Sequence, residues 1–346
     1  MGSSPTAGTM NIADLPTPAV VIDAAILRNN ITHMATLHPA TALRPHVKAH
    51  KCTSLARLQQ DAGHTAFTCA TPREVIGMAS AGVGTDLLLA NEVLDPQRLT
   101  QMARAQDTTR VTVAVDSQET VRAAARAGIA NVLIDINVGL PRCGCSVDDA
   151  PRLADLARSL GVEVRGVMGY EGHLMMVADK QERRDKVHEA MQILADAILR
   201  VGGNIVSAGG TGTFDMYDGT VVNEVQTGSY ALMDTYYSQL GLPFHQAMWV
   251  LGTVISVSPE WAVVDVGLKA LGMDHGDPSI DQHKVWFCSD EHITFSPSDR
   301  VTFPSIGDQI RVTPGHIDPT MSMHSTAFVI DGDAVIDQWS IDLRGW

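Results

Sequence analysis

The 346 residues contain no uninterrupted apolar run of the ~18 residues that a membrane-crossing helix requires. The opening Met1-Gly2-Ser3-Ser4 lacks the charged and apolar regions of a secretory signal and reads as the remnant of an expression tag, with Met10 as a natural start. Positive charge is short: 25 Lys and Arg stand against 39 Asp and Glu, a net charge of −14. That balance excludes nucleic acid and anionic membrane surfaces as partners, yet a local basic site can still hold a small anion. Cysteine is sparse and odd in number, five in all, which rules out a disulfide framework and suits a reducing, cytoplasmic setting. Cys143-Gly-Cys145 has no second cysteine pair or nearby histidine to complete a tetrahedral metal site, so these read as ordinary thiols. No solenoid-length repeat, low-complexity tract or long charge block is present.

What remains is a globular chain, 45% hydrophobic and 18% charged, long enough for two domains. Residues 1–14 read as a flexible lead. Residues 17–23 form a strand entered through prolines, and 24–37 a helix. Strands are then expected at 44–47, 66–70, 86–90, 110–115, 131–138, 163–170, 205–209 and 224–230, with helical spacing over 117–127, 150–160 and 180–201 between them. Thr71-Pro72 and Ser117 look like helix starts, and Gly82, Gly128 and Gly161 like helix stops. Alternating units imply a parallel sheet, and eight strands favour a closed (β/α)8 TIM-type barrel over an open doubly wound sheet. Beyond Pro243 the pattern changes to short alternating strands at 249–257, 261–266, 284–288, 292–295, 309–312, 326–330 and 334–340. The expected division is a barrel over 15–243 and an all-β domain over 244–346, with 15–23 able to pack against the latter.

Barrels of this kind place functional groups at the C-terminal ends of their strands. The densest candidate is Arg44-Pro45-His46-Val47-Lys48-Ala49-His50-Lys51. Crowded cations favour a neutral amine on Lys48, where the strand ends, and a neutral amine is what imine chemistry with a carbonyl cofactor needs. Taken alone, such an octamer is more often a basic surface patch. Gly209-Gly210-Thr211-Gly212-Thr213 and Gly228-Ser229-Tyr230 follow the next strands; glycines and hydroxyls together can form an anion cup, though each turn alone is a weak signal. Arg142, between turn formers, can hold a carboxylate or remain solvated. Tyr170 closes a strand, with His173 ranked below it. In His316-Ile317-Asp318 an extended backbone would point both side chains to one side, toward one ion, although this pattern is common without one.

Together, in this order, these motifs resemble the D-threonine aldolase and D-serine dehydratase family, pyridoxal 5'-phosphate (PLP) enzymes with the two-domain alanine racemase-like architecture (fold type III). The resemblance runs from about Leu15 to Trp346. It implies that Lys48 bonds to PLP; that Gly210, Thr211, Gly212, Thr213, Gly228, Ser229 and Tyr230 hold the phosphate; that Arg142 and Tyr170 attend the ring; and that His316 and Asp318 ligate a divalent metal. Ala49 stands where many relatives carry threonine. Dehydratase-type members carry cysteine at the position of Asp318. A carboxylate there suits Mn²⁺ or Mg²⁺ better than Zn²⁺ and resembles the aldolase branch. The implied activity is retro-aldol cleavage of a D-β-hydroxy-α-amino acid such as D-threonine, with His316 and Lys48 catalytic, in a homodimer. The alternatives are a D-serine or D-3-hydroxyaspartate dehydratase and, more remotely, a non-catalytic PLP-binding protein. Segments 265–269 and 291–292 also resemble the family, more weakly.

Overall fold

The computed structural model describes residues 10–298 and 302–346; most of the expected lead lies outside them. Two compact units emerge: one gathers the described residues through Asn30 with Ala231–Gln239 and Pro243–Ile341, the other Ile31–Tyr230 with Leu240–Leu242 and Asp342–Trp346.

In the second unit, parallel strands β2 (Ala66–Cys69), β3 (Asp86–Leu89), β4 (Arg110–Val115), β5 (Asn131–Asp135), β6 (Glu163–Met168), β7 (Ile205–Ala208) and β8 (Glu224–Val225) pair in sequence order. Helices α2 (Thr53–Asp61), α3 (Pro72–Ser80), α4 (Pro96–Ala105), α5 (Gln118–Ala127), α6 (Ala150–Ser159) and α7 (Lys180–Val201) alternate with them, after α1 (Ala24–Leu37). The expected strand 44–47 is not a regular ladder. Leu43 bridges Val225 and His46 bridges Thr68 in parallel; Arg44 N–H donates to the Val225 carbonyl at 2.9 Å and Thr68 N–H to that of Pro45 at 2.9 Å. These bonds close the sheet into the barrel, while Pro45 removes a donor and keeps the segment irregular. β8 is likewise shorter than the expected 224–230, because Ser229–Ala231 tightens into a 3₁₀ turn. Helix ends follow local chemistry: Thr71 Oγ1 accepts from Glu74 N–H at 3.2 Å ahead of Pro72, and Gly128 closes α5 at φ 84°.

The first unit is built on β1 (Ala19–Asp23). This strand pairs antiparallel with β9 (Met248–Val257) and parallel with β15 (Thr326–Asp331). Strands β10 (Ala262–Val264), β11 (Ser279–Ile280), β12 (His283–Cys288), β13 (Ile293–Pro297) and β14 (Gln309–Thr313) lie on the other side of β9, and β16 (Ala334–Ser340) lies beyond β15. Because β10 also pairs with β9, the six strands β9, β10, β13, β12, β11 and β14 form a closed ring. Ile12, Leu15, Ala19, Val21, Leu251 and Ile330 make a core cluster in this unit. α8 (Thr235–Ser238) and α9 (Ile317–Met323) decorate it. No described helix is long and apolar enough to cross a membrane.

Candidate active site

The octamer divides by burial. Arg44, 2% exposed, is no part of a cationic cluster: its Nε lies 2.8 Å from Glu224 and its Nη1 3.2 Å from Asp86, which Arg165 also grips at 2.6 Å. Asp86 and Glu224 begin their strands, so this network plugs the end of the barrel opposite the strand C-termini. A polar cavity of about 810 Å³ opens there. Lys51 is paired with fully buried Glu74. The crowding of free cations expected from the sequence is therefore corrected, since carboxylates brought by other strands and helices neutralise Arg44 and Lys51. Lys48 sits in the 3₁₀ turn Val47–Ala49, half-buried, with its amide 3.4 Å from His46 Nδ1.

The C-terminal residues pin the far side of that turn. Asp342 accepts from Thr53 N–H at 2.9 Å and from Thr53 Oγ1 at 2.6 Å, and Leu343 N–H donates to the Lys51 carbonyl at 2.9 Å.

The two glycine segments come together. Thr211 Oγ1 accepts from Tyr230 N–H at 3.1 Å, tying the loop after β7 to the turn after β8. A Cβ on Gly228 would lie 2.7 Å from the His46 carbonyl oxygen, so only glycine lets this turn lie against the one bearing Lys48. A Cβ on Gly212 would meet the Met175 carbonyl oxygen at 2.3 Å, and one on Gly210 the Met175 sulfur at 2.8 Å. The amides of Thr211 and Gly212, on buried residues, meet no acceptor among the described residues, as expected of donors kept for an anion.

Two expected phosphate ligands are placed differently from the sequence reading. The Tyr230 side chain is fully buried and its hydroxyl accepts from Gln59 Nε2 at 3.0 Å. Thr213 donates its hydroxyl proton to Glu171 at 2.8 Å. Both hydroxyls turn inward because the core offers them partners. Arg142 is exposed, with its guanidinium carbon 5.2 Å from the centre of the Tyr170 ring. A Cβ on Gly139 would lie 3.0 Å from the His173 ring, so that histidine packs beside the Arg142 loop. Cys143 lies with Glu92 and Asp116; burial and those carboxylates push its thiol up to about 12, so it stays protonated.

In the β unit, His316 and Asp318 meet, with Nε2 3.6 Å from Oδ1, but not on an extended segment. His316 is the N-cap of α9 and Asp318 lies in its first turn, where Pro319, lacking an amide hydrogen, is tolerated. Sequence reasoning missed the neighbours. Asp274 accepts from His316 Nδ1 at 2.9 Å, and the His275 ring stacks on that of His316 with centroids 3.7 Å apart. Asp274, His275 and His316 present donor atoms all within 4.8 Å of one another. The signal was the adjacent Asp274-His275 ahead of Gly276, which lies forty residues before the H-x-D motif and carries no spacing rule linking the two. Burial pulls the His316 pKa down, but Asp318 and Asp274 outweigh it and the net shift is upward. Buried Asp234 accepts from the amides of Tyr237 at 2.9 Å and Ile317 at 3.1 Å, fixing the start of α9; burial pushes its pKa up to about 6. Lys269, by contrast, pairs on the surface with Glu291 at 2.9 Å, and Asp265 accepts from Thr17 and the Thr253 amide, so the weaker family segments serve the fold.

A barrel with a lysine-bearing turn beside a glycine cup, in one chain with an antiparallel β unit carrying clustered imidazoles and carboxylates, defines the alanine racemase type of architecture. A family model described as alanine racemase, N-terminal domain, matches residues 22–235, and one described as putative serine dehydratase domain matches 247–330. The chain belongs to this family, within its D-threonine aldolase and D-serine dehydratase-like group. It is 33% identical over 364 residues to a D-threonine aldolase of Arthrobacter sp, covering 97% of this chain and 94% of that protein. It is 30% identical over 368 residues, with the same coverage, to a 3-hydroxy-D-aspartate aldolase of Paracoccus denitrificans (strain Pd 1222). The crystal structure of a D-threonine aldolase from Filomicrobium marinum matches with a TM-score of 0.92 at 32% identity, covering 99% of each chain.

Proposed function

We propose that this chain is a PLP- and divalent-metal-dependent lyase that cleaves D-β-hydroxy-α-amino acids, D-threonine giving glycine and acetaldehyde. The observation that carries the reading is the coexistence in one chain of two donor sets: the Lys48 turn with its glycine cup, and the His316 cluster. The residues fit both groups. Thr211 and Gly212 offer uncommitted amides, Gly228 lets the second turn approach the one that bears Lys48, and the octamer's other lysine, Lys51, is committed to Glu74. Lys51 cannot take that part without stranding Glu74. For the metal, Asp274 holds His316 at Nδ1, which fixes the tautomer and leaves Nε2 as the ligand atom beside Asp318. Imidazole with carboxylates and no thiolate suits Mn²⁺ or Mg²⁺. When bound, PLP supplies an electron sink for the bond electrons left at Cα, and a divalent cation supplies acidity at the β-hydroxyl. Lys48 would hold the cofactor and then carry a proton, Arg142 would orient an anionic oxygen at the Tyr170 ring, and His316 and Asp318 would fix the β-oxygen end. The expected assembly is a homodimer, to be read by light scattering after gel filtration. Five unbridged cysteines suit a reducing, cytoplasmic setting.

The second reading is β-elimination by the same residues, and it has a specific support: the C-terminal match is to a domain described as a putative serine dehydratase. Incubation with D-threonine, D-serine and D-3-hydroxyaspartate in the presence of PLP and Mn²⁺ separates them. Glycine with an aldehyde supports the aldolase; ammonia with a keto acid supports the dehydratase. PLP binding without turnover of any of the three overturns both and leaves a non-catalytic binding protein.

A further inference from the structure

Glu171 follows Tyr170 at the end of β6 and is fully buried. Among the described residues no Lys, Arg or His reaches it. Its partners are three donors from the loop after β7 and just beyond. Oε2 accepts from Gly209 N–H at 3.3 Å, Oε1 accepts from Thr213 Oγ1 at 2.8 Å, and Tyr217 OH donates to the same oxygen. Thr213 and Tyr217 also touch each other, 2.6 Å apart. A carboxylate in the core without a cation is held there by its hydrogen bonds, so these bonds fix the geometry of what donates them. What donates them is the first and last residue of the glycine loop together with Tyr217 just beyond it.

The loop is thereby seated on the segment that carries Glu171 itself. The close approaches of Gly210 and Gly212 to Met175 are the other face of the same contact. A phosphate-binding loop whose inner donors are consumed in this way keeps its outer ones, the amides of Thr211 and Gly212 and the Thr211 hydroxyl hydrogen, pointing elsewhere. Tyr170 and the loop are also locked at one distance, because Glu171 is the next residue after Tyr170.

We propose that Glu171 is a positioning residue for the cofactor: it sets the glycine loop Gly209–Thr213 against the Tyr170 segment, fixing the span between phosphate and ring contacts. The inference rests on the phosphate-cup reading above. Thr213 and Tyr217 are its braces rather than phosphate ligands, and Glu171 never touches the substrate.

The test measures dissociation constants of the apo-protein for PLP and for pyridoxal, which lacks the phosphate, beside the melting temperature. Glu171→Ala should weaken PLP about tenfold while pyridoxal changes by less than about twofold, the expected loss of hydrogen bonds that hold donors in place. Glu171→Gln keeps an acceptor for Gly209 and can donate to the two hydroxyls, so it should restore most of the PLP affinity. Should the alanine variant fail to fold, Tyr217→Phe removes one brace and should move the PLP-to-pyridoxal ratio in the same direction by about threefold. An unchanged ratio in the folded variants, a parallel loss for both ligands, or no rescue by glutamine would overturn the role of Glu171. Gly212→Val is measured alongside. If it binds PLP as the parent does, the cup itself is wrong, whatever the Glu171 variants do.

Discussion

Lys48 and Lys51 lie in one short segment, yet burial gives them different chemistry. Lys51 is committed to Glu74, which is 0% exposed. Lys51→Met would leave that carboxylate buried without its cation, and a loss of ~3 kcal/mol of stability is expected, read by denaturant unfolding. Lys48→Ala should fold normally and fail to retain PLP. Borohydride reduction of the PLP-loaded parent, followed by peptide mapping, should find the pyridoxyl group on Lys48; finding it on Lys51 or Lys269 would overturn the assignment. The metal proposal also turns on single residues. Chelator-treated protein should keep PLP, lose cleavage of D-threonine, and recover with Mn²⁺ better than with Zn²⁺, because the donors around His316 are hard oxygens and imidazole nitrogen. Asp318→Ala should lose that recovery and Asp318→Cys should shift it toward Zn²⁺. Cleavage at the parent rate by the metal-free protein would remove the cation from the mechanism.

At the scale of elements, the turns matter more than the strands they join. Gly228→Val would drive a side chain into the His46 carbonyl, so the turn bearing Lys48 must shift; weaker PLP retention in a protein with unchanged circular dichroism is the expected result. The alternation of strands and helices was legible in the sequence because most of the buried strands are short apolar runs closed by a glycine or a capping hydroxyl. The seams were not. Pro45 makes the closing segment of the barrel irregular, and its pairing to Thr68 and Val225 depends on partners far along the chain. The His316 motif was legible as chemistry but not as shape, because a helix start and a strand can both bring residues two apart together. Glu171 left no mark: an acid between tyrosine and glycine looks like a surface residue until Thr213 and Tyr217 are seen to close over it. The inward turn of Tyr230 was hidden for the same reason, since its partner Gln59 belongs to a distant helix.

Across the whole molecule, titration sets an acid limit. In the barrel unit, burial holds the pKa of His38 and of His64 below 6.5, against backbone hydrogen bonds to Phe214 and Ala40 that favour the charged form. Folded-state values below the unfolded one contribute stability that is complete above 6.5 and is lost as pH falls through the folded values. His316 works in the opposite sense, its raised pKa adding stability at low pH that is lost as pH rises through the folded value. The share of stability that His38 and His64 contribute should therefore fall as pH is lowered from about 7 to about 5, and His64→Gln should lose less melting temperature over that range than the parent. The C-terminal pins carry a different consequence, one of timing. Residues 31–230 are a continuous stretch that leaves the ribosome first, but the bonds from Asp342 and Leu343 to Thr53 and Lys51 must wait for residues made well after it. The segment that presents Lys48 is thus made early and anchored late. A chain released early by a stop codon or clipped by a protease near its end would keep most of its fold while losing the anchor of its reactive turn. Removing 342–346 should accordingly weaken PLP binding more than it lowers secondary-structure content. Reactivity would then mark a chain whose 342–346 segment has docked, a safeguard against half-folded polypeptides capturing a reactive aldehyde.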